Sequence, residues 1–204
     1  MITKTVPQRT LKNEVSLDGV GLHTGKKVKI TFKPAPVDTG FIFLRTDIKP
    51  SFKIPADIQY VKTTDRGTTL EKDGVKIQTS EHVLAALVGM EVDNCFISMD
   101  APESPIMDGS SKFFTEAIEK AGIVEQKEKR SEYIVTELIS YKDKETGSEI
   151  TVIPSENYQV TTMVDFETKI LGTQNATLEN ISKFKSEIAP SRTFSFLHEL
   201  ETLL

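Results

Sequence analysis

The chain has 204 residues, of which 38% are apolar and 27% are charged. Its formal net charge of −5 argues against a nucleic-acid partner, since binding phosphates needs a basic surface. It contains neither a run of 18 apolar residues nor an apolar N-terminal segment, so we expect no stable membrane insertion and no secretory signal. Its single cysteine, Cys95, excludes an internal disulfide and a thiolate-rich metal site and predicts a reducing, cytoplasmic location, with no partner protein implied.

The first part of the chain has the patterns of β-strands. The segment KKVKITFKPA (26–35) alternates apolar residues with lysines, which is the period-two pattern of a half-buried strand. A turn-forming cluster, PAPVDTG (34–40), and a second apolar run, FIFLRTD (41–47), follow it, so we expect these two strands to form a hairpin. Further along, the Asp73-Gly74 pair predicts another tight turn.

Two helices are predicted, with a buried strand between them. The first begins near Ser80, a favourable N-cap residue, runs through VLAALV and ends at Gly89. The segment VDNCFISMD then has the apolar character of a buried strand. The second helix covers residues 110–122 and ends at a glycine. Its apolar stripe consists of Phe113, Phe114, Ala117, Ile118 and Ala121.

A charge run and a weak repeat indicate how the chain is divided. Residues 126–132, QKEKRSE, contain no apolar side chain and are predicted to link two domains. Residues 148–166 then repeat the order of strand, proline-containing turn and strand found at 28–47. The prediction is an α+β fold in two similarly built halves, a first domain at 1–125 and a second at 133–204. Because the last helical pattern has no stop signal, we expect a piece of a longer protein with an incomplete second domain.

The adjacent pair Glu81–His82 admits two interpretations. In the first, Glu81 is stabilised by the positive end of the helix dipole and His82 packs at the edge of the core, as at many helix starts. In the second, the imidazole is a metal ligand and the carboxylate takes a proton from a metal-bound water. Position 86 is Ala86, so the pair lacks the second histidine of the HExxH metalloprotease arrangement. Considered alone, the local sequence favours the helix start.

Two further segments place polar residues next to glycines. GVGLHTGKKV (19–28) has three glycines around His23, which indicates tight turns or a close backbone approach. ESPIMDGSSKFF (103–114) places Asp108 directly before the second helix, where a helix cap is the simplest interpretation. His23 taken alone could equally be a loop residue whose polar groups bind the backbone.

In this order and spacing, the segments resemble one family, the zinc-dependent UDP-3-O-acyl-N-acetylglucosamine deacetylases of lipid A biosynthesis. The resemblance covers essentially the whole chain and is carried by four stretches: GVGLHTG, TSEHVLAALVGMEVDN, APESPIMDGSSKFFTEAIEKAGIVEQ and APSRTFSFLHELE. It implies a fold of two similar two-layer α/β sandwich domains with helices packed between the sheets. The implied activity is hydrolysis, with Zn2+ as cofactor, of the acetyl group of a UDP-linked, acylated glucosamine, the committed step of that pathway.

The resemblance also implies roles for individual residues. His82 matches a zinc ligand, and Glu81 matches the general base that activates water for attack on the acetamide carbonyl. Thr193 matches a threonine whose hydroxyl stabilises the oxyanion. Substrate contacts are implied for five more residues. Phe194, with the helix after it, matches an apolar passage for the acyl chain. The others are the pair Asp165 and Phe166, and His23 and Asp108, which match positions near the site.

The chain departs from the family after SRTF (191–194). The family's other two zinc ligands, a histidine and an aspartate four residues apart on one helix, and its histidine general acid lie downstream and are not among these residues. His198 is interpreted as a passage or surface residue. Since one ligand holds a catalytic zinc poorly, we expect this chain alone to bind zinc weakly and to be inactive. Two alternatives stay open: a non-catalytic module of the same fold that binds a sugar nucleotide or an acyl chain, and a structural α+β domain.

Overall fold

The computed structural model describes residues 2–196, and their side chains from Val6 onward. The fold is α+β, as predicted from the sequence. The helices are α1 (Glu81–Gly89), α2 (Lys112–Ala121) and α3 (Phe184–Glu187), and short 3-10 turns occupy Ile58–Tyr60 and Ile181–Lys183. The strands are β1 (Ile2–Leu11), β2 (Val15–Val20), β3 (Lys27–Pro34), β4 (Phe41–Arg45), β5 (Phe52–Pro55), β6 (Val61–Thr63), β7 (Thr69–Lys72), β8 (Val75–Ile77), β9 (Cys95–Met99), β10 (Ile123–Tyr133), β11 (Ile139–Lys142), β12 (Glu149–Val152), β13 (Val160–Asp165) and β14 (Thr173–Leu178). Among the described residues, no helix combines the length and apolar character that crossing a membrane requires.

The core of the first half lies on a five-stranded sheet with the order β2-β3-β9-β4-β5. The central strand β9 is almost wholly buried, as its apolar sequence predicted. Helices α1 and α2 pack together beside this sheet, where Phe114 of α2 meets Phe32 of β3 edge to face at a ring-centre distance of 6.2 Å. The apolar stripe of α2 is buried at four of its five positions, while Phe113 is 36% exposed. A three-stranded sheet, β6-β7-β8, adds Leu70 and Ile77 to the core.

The predicted hairpin between β3 and β4 is wrong, because β9 lies between the two strands. β9 pairs antiparallel with β3 and parallel with β4. Alternation of apolar residues shows which face of a strand is buried, but it does not identify the neighbouring strand. The Asp73-Gly74 turn is confirmed: both residues have positive φ, 49° and 80°, and they join β7 to β8 as an antiparallel pair.

Residues 126–132, predicted to be a linker, lie inside the regular strand β10, which pairs antiparallel with β1 over the range from Ile2 to Leu11. Pairing with β1 satisfies the main-chain N–H and C=O groups of this run, so polar residues can occupy a strand here. Two side chains of this run are nevertheless anchored. Gln126 accepts a hydrogen bond from Asn94, and Arg130 binds Asp93 at 2.6 Å.

The strands after β10 pair in the same way as the first strands of the sheet. β11 and β12 are antiparallel partners, like β2 and β3, and β13 and β14 are antiparallel partners, like β4 and β5. In the first half β9 joins the two pairs, whereas within residues 2–196 no strand lies between β12 and β13. The strand pairs thus follow the repeat in the sequence. The division into domains at 1–125 and 133–204 stays a prediction.

Candidate functional site

The site begins at the N-terminus of α1, where Glu81 and His82 are both half-buried. Ser80, predicted to be the N-cap, makes no side-chain cap; its φ of −81° and ψ of −18° are already helical. Its hydroxyl instead donates to the carbonyl of Thr68 at 3.0 Å, and the N–H of Thr68 donates to the Glu81 carboxylate at 2.8 Å. The Glu81 carboxylate is therefore bound by the loop that contains Thr68, and this contact is not a helix cap.

His23 is anchored through its backbone, and its side chain is exposed. The His23 N–H donates to both carboxylate oxygens of Glu103, at 2.9 and 3.2 Å, and the N–H of Thr24 donates to the same group at 2.8 Å. Glu103 is 0% exposed. Burial opposes ionisation of this carboxyl, but the hydrogen bonds from His23, Thr24 and Thr79 outweigh it and hold the pKa below its ordinary value. This buried anion was not among the predicted site residues.

Asp108 lies in the turn that precedes α2, with its side chain exposed to solvent. Its carboxylate accepts the Ser110 hydroxyl at 2.6 Å and the Ser110 N–H at 3.1 Å. The Ser110 hydroxyl bond is the main cause that lowers the pKa of Asp108, with a further contribution from the positive charge of Arg192. Asp108 is therefore an anion at neutral pH. The turn also reaches α1, because the Ser111 hydroxyl donates to the carbonyl of His82 at 3.0 Å.

The segment that carries Thr193 docks on this same turn. The Thr193 N–H donates to the carbonyl of Gly109 at 2.7 Å. Thr193 is thereby placed beside Asp108, and Ser111 of the same turn continues the connection to His82. Of the predicted residues, the structure thus connects His82 of α1 through hydrogen bonds to the turn of Asp108 and to the segment of Thr193.

A second group of predicted residues forms an aromatic cluster. The rings of Phe166 and Phe194 are 5.0 Å apart, and Phe196 packs on both, at 6.3 and 5.6 Å. Phe194 is 58% exposed, so this cluster offers an open apolar surface. Asp165, at the end of β13, accepts the N–H of Glu167 at 2.9 Å. His198 lies outside the described residues.

A cleft opens beside the Asp108 turn, with a volume of about 360 Å³. Its lining combines two acidic residues with mostly apolar ones. Its lining consists of Asp18, Gly19, Val20, Ile106, Met107, Asp108 and Phe113.

The described residues do not form a complete metal site. Within residues 2–196, no three side chains of His, Cys, Asp or Glu lie close enough together to hold a metal ion. A catalytic zinc usually needs three protein ligands, and His82 is one imidazole. The chemistry of His82 suits zinc, but these residues alone do not supply the set.

The chain belongs to the UDP-3-O-acyl N-acetylglycosamine deacetylase (LpxC) family, whose sequence profile matches residues 8–204. It is 47% identical over 199 residues to the bifunctional enzyme LpxC/FabZ of Chlorobaculum tepidum, covering 97% of this chain and 43% of that protein. It is 44% identical over 197 residues to the protein of the same name from Bacteroides thetaiotaomicron, covering 97% of this chain and 43% of the relative. It is 42% identical over 201 residues to the UDP-3-O-acyl-N-acetylglucosamine deacetylase of Hahella chejuensis, covering 97% of this chain and 66% of that protein. The chain therefore spans between two fifths and two thirds of the length of these relatives.

Proposed function

We propose that the protein containing this chain is a cytoplasmic, zinc-dependent deacetylase that removes the acetyl group from UDP-3-O-acyl-N-acetylglucosamine in lipid A biosynthesis. The family match over residues 8–204 supports the reaction class. The observation that carries the proposal in the structure is the 2.7 Å hydrogen bond from the Thr193 N–H to Gly109. This bond supports the proposal because it joins Thr193 to the turn whose Ser111 hydroxyl donates to the carbonyl of His82.

Hydrolysis of an acetamide requires a base that removes a proton from water and a donor that stabilises the developing oxyanion. Glu81 is the proposed base. Its position is fixed by the Thr68 N–H, which leaves the carboxylate half-buried at the start of α1 and accessible to water. Thr193, whose side chain is exposed, is the proposed donor to the oxyanion. Glu81, at the start of α1, and Thr193, in the segment bonded to Gly109, are the two groups that the described chain would contribute to the reaction.

His82 is the proposed zinc ligand of this segment, and the remaining ligands are expected in residues that follow it. When bound, a zinc ion lowers the pKa of a coordinated water and polarises a carbonyl. Residues 1–204 on their own are expected to bind zinc weakly and to be inactive.

The substrate has an apolar acyl chain and a polar sugar nucleotide, and the chain offers a surface for each kind of contact. The cluster of Phe166, Phe194 and Phe196 is the proposed contact for the acyl chain, since its rings form an exposed apolar surface. Asp165, His23 and Asp108 are the proposed polar contacts. Because Asp108 is an anion, it suits hydroxyl groups of a sugar better than phosphates.

One alternative is a non-catalytic module of the same fold that binds a sugar nucleotide or an acyl chain. The incomplete metal-ligand set within residues 2–196 is the observation that favours it. The full-length natural protein separates the two: a deacetylase turns over the acetylated substrate and contains zinc, whereas a binding module does neither.

The test of the proposal is the turnover of Glu81→Ala in the full-length natural protein. A positioned general base contributes about 10²–10⁴-fold, so kcat is expected to fall by at least about 10²-fold. Glu91→Ala, just beyond the C-terminal end of α1, is the matched control and should retain activity, because Glu91 forms an ion pair with Arg9 and contacts none of the proposed site residues. Turnover of Glu81→Ala within about tenfold of the wild type would show that Glu81 is not the base.

A further inference from the structure

We propose that Glu103 is a positioning residue of this site: its buried carboxylate holds the loop of His23 against the turn that leads into Glu81 and His82. This inference rests on the proposed function, because the groups that it positions are the proposed base, metal ligand and substrate contact. Glu103 itself is fully buried and is not expected to touch the substrate.

The Glu103 carboxylate joins two segments that are distant in the sequence. From one side it accepts the N–H groups of His23 and Thr24, at 2.9 and 2.8 Å. From the other side it accepts the hydroxyl of Thr79 at 3.0 Å. A buried carboxylate is expensive to desolvate unless its oxygens are hydrogen-bonded, and removal of the carboxylate would leave these donors without their partner. The contact therefore acts as a clamp between residues 23–24 and residue 79.

The backbone near His23 leaves space for the Glu103 carboxylate because residue 21 is a glycine. A β-carbon on Gly21 would lie 2.4 Å from Oε2 of Glu103, which is far closer than any side chain tolerates. Glycine at position 21 therefore permits the close approach of the loop to the carboxylate. This accounts for one of the three glycines around His23.

Thr79 connects the clamp to Glu81 and His82. Its φ is 54°, a left-handed conformation that is unfavourable for a β-branched residue, and it is 4% exposed. Such a conformation persists only where the surroundings determine it, and the bond to Glu103 is one such restraint. Because Glu81 follows two residues later, relaxation of Thr79 would reorient the start of α1.

The backbone contacts around the clamp do not depend on the charge of Glu103. The N–H of Gln78 donates to the carbonyl of Pro102 at 2.8 Å, and the N–H of Ser104 donates to the carbonyl of Gln78 at 3.0 Å. These bonds should keep a Glu103→Gln variant folded. Its side-chain amide has nearly the shape of the carboxylate but presents an N–H group to at least one of the donors.

The first experiment measures the clamp itself by amide hydrogen exchange in the full-length protein. In Glu103→Gln, the amides of His23 and Thr24 should exchange at least about tenfold faster than in the wild type, which corresponds to the loss of one net hydrogen bond. The exchange rate of the Ile97 backbone amide in the core should be unchanged. Unaltered exchange at His23 and Thr24 would overturn the proposal.

The second experiment separates positioning from stability by kinetics. Glu103→Gln should lower kcat by about 10–100-fold, as is typical when a residue that orients a catalytic group is changed. KM should rise less than kcat falls, because the clamp orients two reacting groups, Glu81 and His82, and only one proposed substrate contact, His23. Gly21→Ala, which presses on the same carboxylate without removing its charge, should act in the same direction. The control Glu91→Gln should leave kcat unchanged.

If kcat of correctly folded Glu103→Gln and Gly21→Ala equals that of the wild type, Glu103 is a structural residue only and the proposal is overturned. A wild-type protein without deacetylase turnover would instead overturn the proposed function. In that event the exchange rates at His23 and Thr24 still decide whether Glu103 holds the loop.

Discussion

Phe184 of α3 lies against Gly89 of α1 in the space that a larger side chain at position 89 would occupy. A β-carbon on Gly89 would be 2.0 Å from Cδ1 of Phe184. Phe184 is buried and packs with Leu178 and Ala189. Gly89 was predicted to end its helix, and α1 does end there, but the structural need for glycine is this close contact. It fixes α1 to the segment that continues to Thr193.

Gly89→Ala is therefore expected to destabilise the protein. Overpacking of a buried contact costs about 1–3 kcal/mol. This exceeds the gain of at most about 1 kcal/mol from replacing glycine by alanine in a helix. Urea unfolding followed by circular dichroism measures the difference. In a Phe184→Ala background the same change should be neutral or stabilising. Equal destabilisation in both backgrounds would exclude the clash as the cause.

Asn94, 1% exposed, connects β10 to the first half of the chain through a hydrogen-bonded network. Its side-chain carbonyl accepts the N–H groups of Thr39 and Gly40, both at 2.9 Å. Its amide donates to Gln8 at 2.8 Å and to Gln126 at 2.7 Å. All four hydrogen-bonding positions of the side chain are thus used.

Asn94→Ala should lower the free energy of unfolding by about 1–3 kcal/mol or more, since it leaves buried donors and acceptors without partners. The matched control is Asn157→Ala in an exposed turn, which should change stability by less than about 0.5 kcal/mol. Chemical denaturation of both variants gives the comparison. A loss at Asn94 no greater than at Asn157 would show that the network contributes little.

Cys95 is expected to be unreactive in the folded protein. Burial raises the pKa of this thiol to about 12, so the thiolate that reacts with alkylating reagents is almost absent at neutral pH. Iodoacetamide should modify it only after denaturation, and mass spectrometry reads out a single addition because the chain has one cysteine. Rapid labelling under native conditions would mean that β9 opens readily.

The strands of the first half could be predicted from their alternating burial, but their neighbours could not. In β3 the buried and exposed positions alternate as the sequence indicates. The insertion of β9 between β3 and β4 depends on a segment that comes later in the chain, which no local pattern reports. Likewise, the charge run at 126–132 lacks an apolar face, and main-chain pairing with β1 makes it a strand all the same.

The reactive residues of the candidate site stay predictions, and Glu103, the buried carboxylate that contacts the loop of His23, was not predicted. Glu81, His82 and Thr193 could be proposed because the segments that carry them resemble a known family. Glu103 has no comparable signal of its own; a carboxylate in the proline-flanked stretch DAPESPIM was the only indication. Its burial and its bonds to His23 and Thr79 arise from three segments that meet only in the folded chain.

The stability contributed by Glu103 should depend on pH in a defined direction. Its pKa in the folded protein is lowered below the ordinary value of 4.5. Its contribution is therefore fully present above that value and is lost as the pH falls below it through the folded pKa. Urea midpoints should show the wild type more stable than Glu103→Gln at neutral pH, with the difference shrinking below pH 4.5. A difference that is independent of pH would contradict the lowered pKa.

His82→Ala in the full-length natural protein is expected to lose bound zinc together with turnover. Removing one of the three protein ligands that a catalytic zinc normally has weakens binding strongly. His23→Ala is the matched control: it also removes an imidazole, but one whose proposed role is substrate contact, and it should retain zinc. Metal analysis after gel filtration measures both variants and the chain of residues 1–204, which should carry little zinc. Full occupancy in His82→Ala would show that His82 is not a ligand, and the proposal would then have to place the metal elsewhere.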